Sequence, residues 1–175
     1  MTQELRILAL DLSLTCSGVC RPDGSTELIR TSQADGDLRL LIIRNRVRAL
    51  LREDRPHVAV IEGLPIAMSA SGTIGQVHGA VKPELMDAGV EYAVVQPSTL
   101  KLYATGHGRA DKAAMAQAAL DMGFSFTDDK GGDQCDAWWL WTAAHDWYLR
   151  YPAGARPPGP LDNAVWPELP FRPAA

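Results

Sequence analysis

Residues 5–12 read Leu-Arg-Ile-Leu-Ala-Leu-Asp-Leu, an almost unbroken apolar run that carries a carboxylate, Asp11, near its end. A run of this kind predicts a β-strand that is buried in a sheet. A second run, His57 to Ile61, is rich in β-branched residues and closes on Glu62. An unpaired carboxylate inside a strand core is costly, so we expect Asp11 and Glu62 to lie where their strands reach the edge of the sheet.

Outward from these two strands, strand patterns alternate with helix patterns. Apolar residues recur at helical spacing from Leu38 to Glu53, and a Gly-containing turn at 21–25 precedes a hairpin strand predicted over 26–31. Such alternation favours a single α/β domain, with a mixed central sheet flanked by helices. The other predicted elements are a helix within 71–89, a strand over 91–96, and helices over 97–103, 110–122 and 133–151.

Length and composition limit the class of protein. The chain has 175 residues, of which 46% are hydrophobic and 22% charged, which suits one compact domain and disfavours a two-domain kinase or dehydrogenase. No apolar run approaches the roughly 18 residues that a membrane span needs. The formal charge of -4 requires that any basic surface for nucleic acid be concentrated on one face. The three cysteines form no CxxC pair and no secretory signal is apparent, so we expect a reduced, cytoplasmic protein.

The C-terminal residues differ in composition from the rest. Seven of the twelve prolines lie within residues 152–175, where a helix cannot continue. We therefore divide the chain into a domain over residues 1–151 and a Pro-rich C-terminal tail over residues 152–175. The tail either wraps the surface or stays mobile.

Two more carboxylates, Asp133 and Asp136, stand three residues apart near a predicted helix start and so share a face of that helix. Together with Asp11 and Glu62 they would place four carboxylates at one sheet edge. Oxygen-only clusters suit Mg²⁺ or Mn²⁺, and two such ions can activate a water and stabilise the leaving oxygen in phosphodiester hydrolysis. The alternative is that the helix pair complements the helix dipole while Asp11 and Glu62 cap turns.

The chain resembles RuvC-type Holliday-junction resolvases of the ribonuclease H superfamily, in particular their phage-type branch. The resemblance runs from residue 5 to about residue 147 and is carried by Ile7 to Ser13, Val60 to Glu62, Gly106 to Lys112 and Asp133 to Ala137. It implies a ribonuclease H-like fold and a homodimeric, divalent-metal endonuclease that nicks branched DNA symmetrically in two strands. It also places Asp11, Glu62, Asp133 and Asp136 on the catalytic carboxylates, and Lys101 and Lys112 on lysines beside the scissile phosphate.

Basic residues near the Gly-rich segment 106–108 agree with a nucleic-acid partner. Arg109 and Lys112 stand at a predicted helix N-terminus, where free N–H groups favour a DNA phosphate. Lys101 precedes this loop, and His107 lies inside it, so both are further candidates for DNA contact. We assign no metal to the histidines.

Two other patterns have structural alternatives. The arginines at 44, 48 and 52 share one helix face and form either a solvated stripe or a track for DNA. Tryptophans crowd the last predicted helix, where core packing is the favoured interpretation over base stacking. Cys16 and Cys20 are interpreted as small buried side chains.

The helix within 71–89 carries Gly75 and Gly79, which permit close approach of another backbone. The resemblance to a dimeric family makes this helix our candidate for the dimer seam. Close packing on the chain's own sheet is the alternative.

Two other functions remain open. Residues 11–18 look like the phosphate loop of actin-like and sugar-kinase-like ATP-binding domains, although those proteins surround the nucleotide with two domains. A non-catalytic DNA-binding recombination subunit is the second alternative. Four clustered carboxylates argue against it, since buried like charges are destabilising without a bound cation.

Overall fold

The computed structural model describes residues 3–64, 72–150, 159–171 and 173. Within them a mixed five-stranded sheet has the order β3-β2-β1-β4-β5. Strands β1, β2 and β3 are antiparallel neighbours, whereas β1, β4 and β5 run parallel. The strands are β1 (Ile7–Asp11), β2 (Cys16–Cys20), β3 (Thr26–Arg30), β4 (Val58–Glu62) and β5 (Glu91–Val95).

Helices cover both faces of the sheet. Successive side chains of a strand point to opposite faces, so each strand contributes to two cores. Leu8 and Leu10 of β1 face an aliphatic core, whereas Ile7 and Ala9 face a core rich in tryptophan. The aliphatic core packs against α1 (Leu38–Asp54) and α2 (Thr73–Asp87). The other core packs against α3 (Pro97–Thr105), α4 (Lys112–Asp121) and α5 (Asp133–His145).

The predicted α/β class, the mixed sheet and the predicted core tryptophans are confirmed. Trp138 and Trp139 of α5 are 2% and 3% exposed. The predicted last helix is too long, because α5 ends at His145 and a π-helical turn follows over Asp146–Arg150. Residue 151 lies outside the described residues.

Strand β2 is missing from the sequence prediction, which interpreted part of it as a phosphate loop. Cys16 to Gly18 are paired with β3, and Gly18 also pairs with β1. The Ser17 hydroxyl accepts from the Ser13 N–H and donates to the Ser13 carbonyl, at 3.0 and 2.7 Å. This turn thus uses its own polar groups, which disfavours the phosphate-loop interpretation.

Two arginines of the stripe on α1 pair with an acid of the neighbouring helix, whereas Arg52 is exposed. Arg48 binds the carboxylate of Glu84 on α2 through two hydrogen bonds of 2.7 Å, and Arg44 lies 3.5 Å from the same group. Glu84 is 8% exposed. The sequence could not show this because the partner lies on another helix. These two arginines fasten α1 to α2.

The alternative interpretation, in which the α2 glycines pack closely on the chain's own sheet, is wrong. A Cβ placed on Gly75 or Gly79 would meet no described atom within 4 Å. The helix packs instead through buried residues such as Val77 and Val81. Position 71 of the predicted helix lies outside the described residues.

The described part of the C-terminal tail wraps the domain. Leu161 is buried, Trp166 stacks on Trp147 at 5.1 Å between ring centroids, and Phe171 packs against His57. Residues 152–158 lie outside the described range. Among the helices of the described residues, none is long and apolar enough to cross a membrane.

Candidate active site

Asp11 and Glu62 meet because β1 and β4 are parallel neighbours. Leu10 pairs with Ile61, so the next residue of each strand is a carboxylate and the two strands end side by side. Asp11 is 9% exposed, and its carboxyl shares a hydrogen bond with Glu62. The predicted meeting of these two residues at the sheet edge is thereby observed.

Helix α5 brings Asp133 and Asp136 to the same edge. It crosses β2 so closely that a Cβ on Gly18 would lie 1.8 Å from the Asp133 carbonyl oxygen. Gly132 precedes the helix with φ 76°, a left-handed conformation that glycine adopts without strain. The first turn of α5 therefore lies against the ends of β1 and β4.

Burial and neighbouring charges shift the pKa values of three of these carboxyls. Burial raises the pKa of Asp11 well above its usual range, and the charges of Glu62, Asp136 and Asp133 raise it further. Burial raises the pKa of Glu62 to about 7, with the charge of Asp136 adding to the effect. Burial likewise raises the pKa of Asp136 to about 6. Like charges have been gathered where water screens them poorly, an arrangement that favours a bound cation.

The predicted lysines lie beside this cluster. The Lys112 ammonium donates to the Gly131 carbonyl and stands 3.8 Å from an Asp133 carboxylate oxygen. The charges of Lys101 and Lys112 lower the pKa values of Glu62 and Asp136, against the larger effect of burial. The structure thus brings both lysines near the carboxylates.

The other predicted DNA-contact residues lie in the loop between α3 and α4. His107 and Arg109 are exposed and line a groove of about 750 Å³ between these helices, together with Thr105 and Asp111. No described contact joins them to the carboxylates. Asp111 caps α4 by accepting from the Ala114 N–H at 2.8 Å.

Sequence reasoning missed Asp129, which caps α5. Its carboxylate accepts from the N–H groups of Gln134 and Cys135 at 3.0 and 2.9 Å. The buried side chain of Gln134 accepts from the Thr26 hydroxyl and donates to the Thr127 carbonyl. Because Asp129 supplies the cap, Asp133 and Asp136 are not needed for it. Asp129 lies four positions before the start of α5, whereas an N-cap residue usually stands directly before its helix, so the sequence pattern did not indicate it.

The chemistry of these side chains fits a hard divalent cation, although their described positions do not form a complete coordination sphere. Among the described residues, no three His, Cys, Asp or Glu side chains converge as a preformed metal centre. Asp11 and Glu62 point at each other through their shared hydrogen bond. The cluster offers carboxylate oxygens alone, with Asp133 and Asp136 beside them, which is the ligand chemistry of Mg²⁺ and Mn²⁺.

A mixed sheet of this order, with carboxylates at the ends of two central strands and on a helix laid across them, defines the class of ribonuclease H-like nucleases. The family model described as crossover junction endodeoxyribonuclease RuvC matches residues 23–134. The chain belongs to this RuvC family. The matched range includes Glu62 and Asp133 but neither Asp11 nor Asp136.

Curated relatives and solved structures agree. The crossover junction endodeoxyribonuclease RuvC of Burkholderia multivorans is 33% identical over 143 residues, covering 76% of this chain and 79% of the relative. That of Burkholderia ambifaria is 32% identical, covering 76% and 78%. The fold matches T. thermophilus RuvC in complex with Holliday junction substrate, with a TM-score of 0.65, 21% identity and coverage of 78% of this chain and 90% of that one. Divalent-metal dependence comes with the family.

Proposed function

We propose that this protein is a divalent-metal-dependent endonuclease that resolves Holliday junctions. The observation that carries the proposal is the meeting of Asp11, Glu62, Asp133 and Asp136 at one sheet edge in a chain of the RuvC family. The matching family is that of crossover junction endodeoxyribonucleases, so the substrate we assign is branched DNA. Other branched substrates are tested alongside it.

We assign two Mg²⁺ or Mn²⁺ ions to these carboxylates. Bound there, the ions supply Lewis-acid activation of a water and stabilisation of the leaving oxygen. Asp11, Glu62, Asp133 and Asp136 would hold them. Lys101 and Lys112 place positive charge beside the cluster, where it stabilises the charge that builds on the scissile phosphate.

Further DNA contacts are assigned to exposed basic groups. His107 and Arg109 are accessible in the groove between α3 and α4 and can contact phosphates of a junction arm. We place the protein in the cytoplasm, that of a bacterial host if it is phage-encoded. The phage-type branch stays a prediction.

The decisive experiment compares the wild type and Asp11→Asn on four-way junction, flap, fork and linear duplex. We expect paired nicks in the junction with Mg²⁺ or Mn²⁺, no cleavage in EDTA, and loss of cleavage in the variant under single-turnover conditions. Full junction cleavage by Asp11→Asn would overturn the assignment of the site. ATP binding without cleavage would favour the ATP-binding alternative, and junction binding without cleavage the non-catalytic one.

We also propose that the active species is a homodimer, because paired nicks in opposed strands need two related sites. Because a Cβ on Gly75 or Gly79 of α2 would meet no atom of the described residues within 4 Å, this helix is our candidate for the seam. Gly75→Leu or Gly79→Leu should lower the sedimentation mass and impair junction resolution. Unchanged mass and resolution would remove α2 from the interface.

A further inference from the structure

A groove beside the carboxylates has a lining unlike the rest of the site. It encloses about 460 Å³ between α4, the 124–130 segment and the start of α5. This volume lies within the range of about 300–1,000 Å³ typical of ligand pockets. Its lining includes Lys112, Leu120, Phe124, Phe126, Lys130 and Cys135.

The floor of the groove is aromatic and accessible. Phe124 is 45% exposed and Leu120 is 55% exposed, so both apolar side chains are accessible in the groove. The Phe124 ring rests on buried Trp138, with 4.4 Å between ring centroids, and Phe126 lies 6.0 Å from the same ring. Trp138 therefore supports an open phenyl face from below.

The charges around the groove favour an anionic partner. Lys112 and Lys130 are exposed on its rim. The one carboxylate in the lining, Asp129, already accepts from two N–H groups at the start of α5. The groove thus combines an apolar stacking surface with two cationic side chains.

The groove is continuous with the carboxylate site. Lys112 lines the groove and also stands 3.8 Å from an Asp133 carboxylate oxygen. Gly132, which precedes Asp133 in the chain, lines it as well. A strand whose phosphate lies at the carboxylates would therefore carry its neighbouring nucleotide past this groove.

We propose that the groove holds an unpaired nucleobase of the cleaved strand, next to the scissile phosphate, stacked on Phe124. The inference rests on the proposed nuclease function and adds to it a base-binding subsite. Aromatic rings hold bases of single strands by stacking, and lysines hold the adjoining backbone. Phe124 is thereby a DNA-binding residue rather than a catalytic one.

Photo-crosslinking tests the placement directly on the wild-type protein. The cleaved bond is first mapped with Mg²⁺, and 5-iodouracil is then placed at each of the two nucleotides on either side. Irradiation of the complex in EDTA should attach one of these positions to Phe124 or Phe126, as read by mass spectrometry. Crosslinks that map only outside the groove overturn the proposal.

A matched pair of variants tests the energetic contribution. Phe124→Leu should lose the crosslink and weaken junction binding about fivefold or more, as expected for one lost base stack. Phe124→Tyr should retain both. Phe171→Leu is the control, since it makes the same change at a ring that packs against His57 instead. Wild-type affinity in Phe124→Leu overturns the proposal, and thermal unfolding shows whether that variant is folded.

These outcomes distinguish the base subsite from the nuclease function on which it rests. If the wild type cuts junctions but its crosslinks lie outside the groove, the base subsite is wrong and the nuclease function stands. If the wild type neither binds nor cuts a junction, both fall.

Discussion

Two glutamates of this chain, the buried Glu84 and the half-buried Glu62, lie in opposite electrostatic settings. Glu84, between α1 and α2, receives two hydrogen bonds from Arg48, which hold the pKa of its carboxyl below its usual value. Glu62, at the end of β4, is surrounded by other acids, and burial raises its pKa to about 7. Glu84 is paired within its own chain. Glu62 belongs to the carboxylate cluster to which we assign a cation, so the two acids differ in their partners.

The same substitution at both positions gives the largest contrast. Glu62→Gln should lower the single-turnover rate of junction cleavage by at least about 10²-fold, because it removes a metal ligand. Its free energy of unfolding should not fall, since a neutral amide relieves repulsion among the acids. Glu84→Gln should cleave like the wild type and lose about 1–3 kcal/mol of stability with its charged hydrogen bonds. Denaturant titration and cleavage assays on both variants check this, and exchanged outcomes would contradict it.

The basic residues beside the two glutamates should also differ in their effect on the cleavage rate. Lys112→Ala should lower the single-turnover rate by roughly 10²-fold at saturating enzyme, because its charge stabilises the transition state. Loss of a ground-state phosphate contact would instead weaken binding and reduce its salt dependence by about one unit of slope. Arg48→Ala, on the other side of the sheet, serves as the control and should leave the rate unchanged. Weaker binding of Lys112→Ala at an unchanged rate would make this lysine a backbone clamp.

Stabilisation of the protein by Mg²⁺ should depend on Glu62 and not on Glu84. At a free Mg²⁺ concentration 100 times the dissociation constant, the wild type should gain about 2.7 kcal/mol of stability. Glu84→Gln should gain the same amount, whereas Glu62→Gln should gain much less. Thermal unfolding with Mg²⁺ and with EDTA measures the difference. Equal stabilisation of both variants would show that the ion binds away from the carboxylate cluster.

A smaller effect is expected at the cap that holds α5 against the sheet. Asp129→Ala removes the acceptor for two N–H groups and should cost about 1–2 kcal/mol of stability. The cleavage rate should fall too, since the first turn carries Asp133 and Asp136. Ser32→Ala is the control. It removes the N-cap of the short 3-10 helix Gln33–Asp35 and should not change the rate. Rescue of the rate by Asp129→Asn would support positioning by hydrogen bonding.

The smallest effect concerns His78 on α2. It is 5% exposed, and burial together with the charge of Lys82 lowers its pKa to about 4. The unfolded chain therefore binds a proton near pH 6.5 that the folded chain refuses until about pH 4, so stability falls as the pH falls through this window. His78→Leu should remove this contribution from the slope of stability against pH, while the raised pKa values of Glu62 and Asp136 keep their opposite contributions. An unchanged slope, measured by denaturant titration from pH 4 to 7, would contradict it.

Strands β1 and β4 and the carboxylates at their ends were predictable because their signals are local. The apolar runs that end in Asp11 and Glu62 specify buried strands, and parallel pairing then places their ends together. The Arg48–Glu84 pair was not predictable, because its partners are 36 residues apart and join only when α1 packs on α2. Asp129 was missed for a similar reason. It acts on α5 from a preceding loop, and only the folded loop brings its carboxylate to the N–H groups.

The contact between Gly18 and the Asp133 carbonyl has a consequence for sequence variation. Two main chains touch there, so even the single methyl group of alanine has no room. Position 18 therefore accepts only the amino acid that has no side chain. A mutational library selected for folding should show this position as a fixed point, and its invariance would reflect the docking of a helix rather than a contact with DNA.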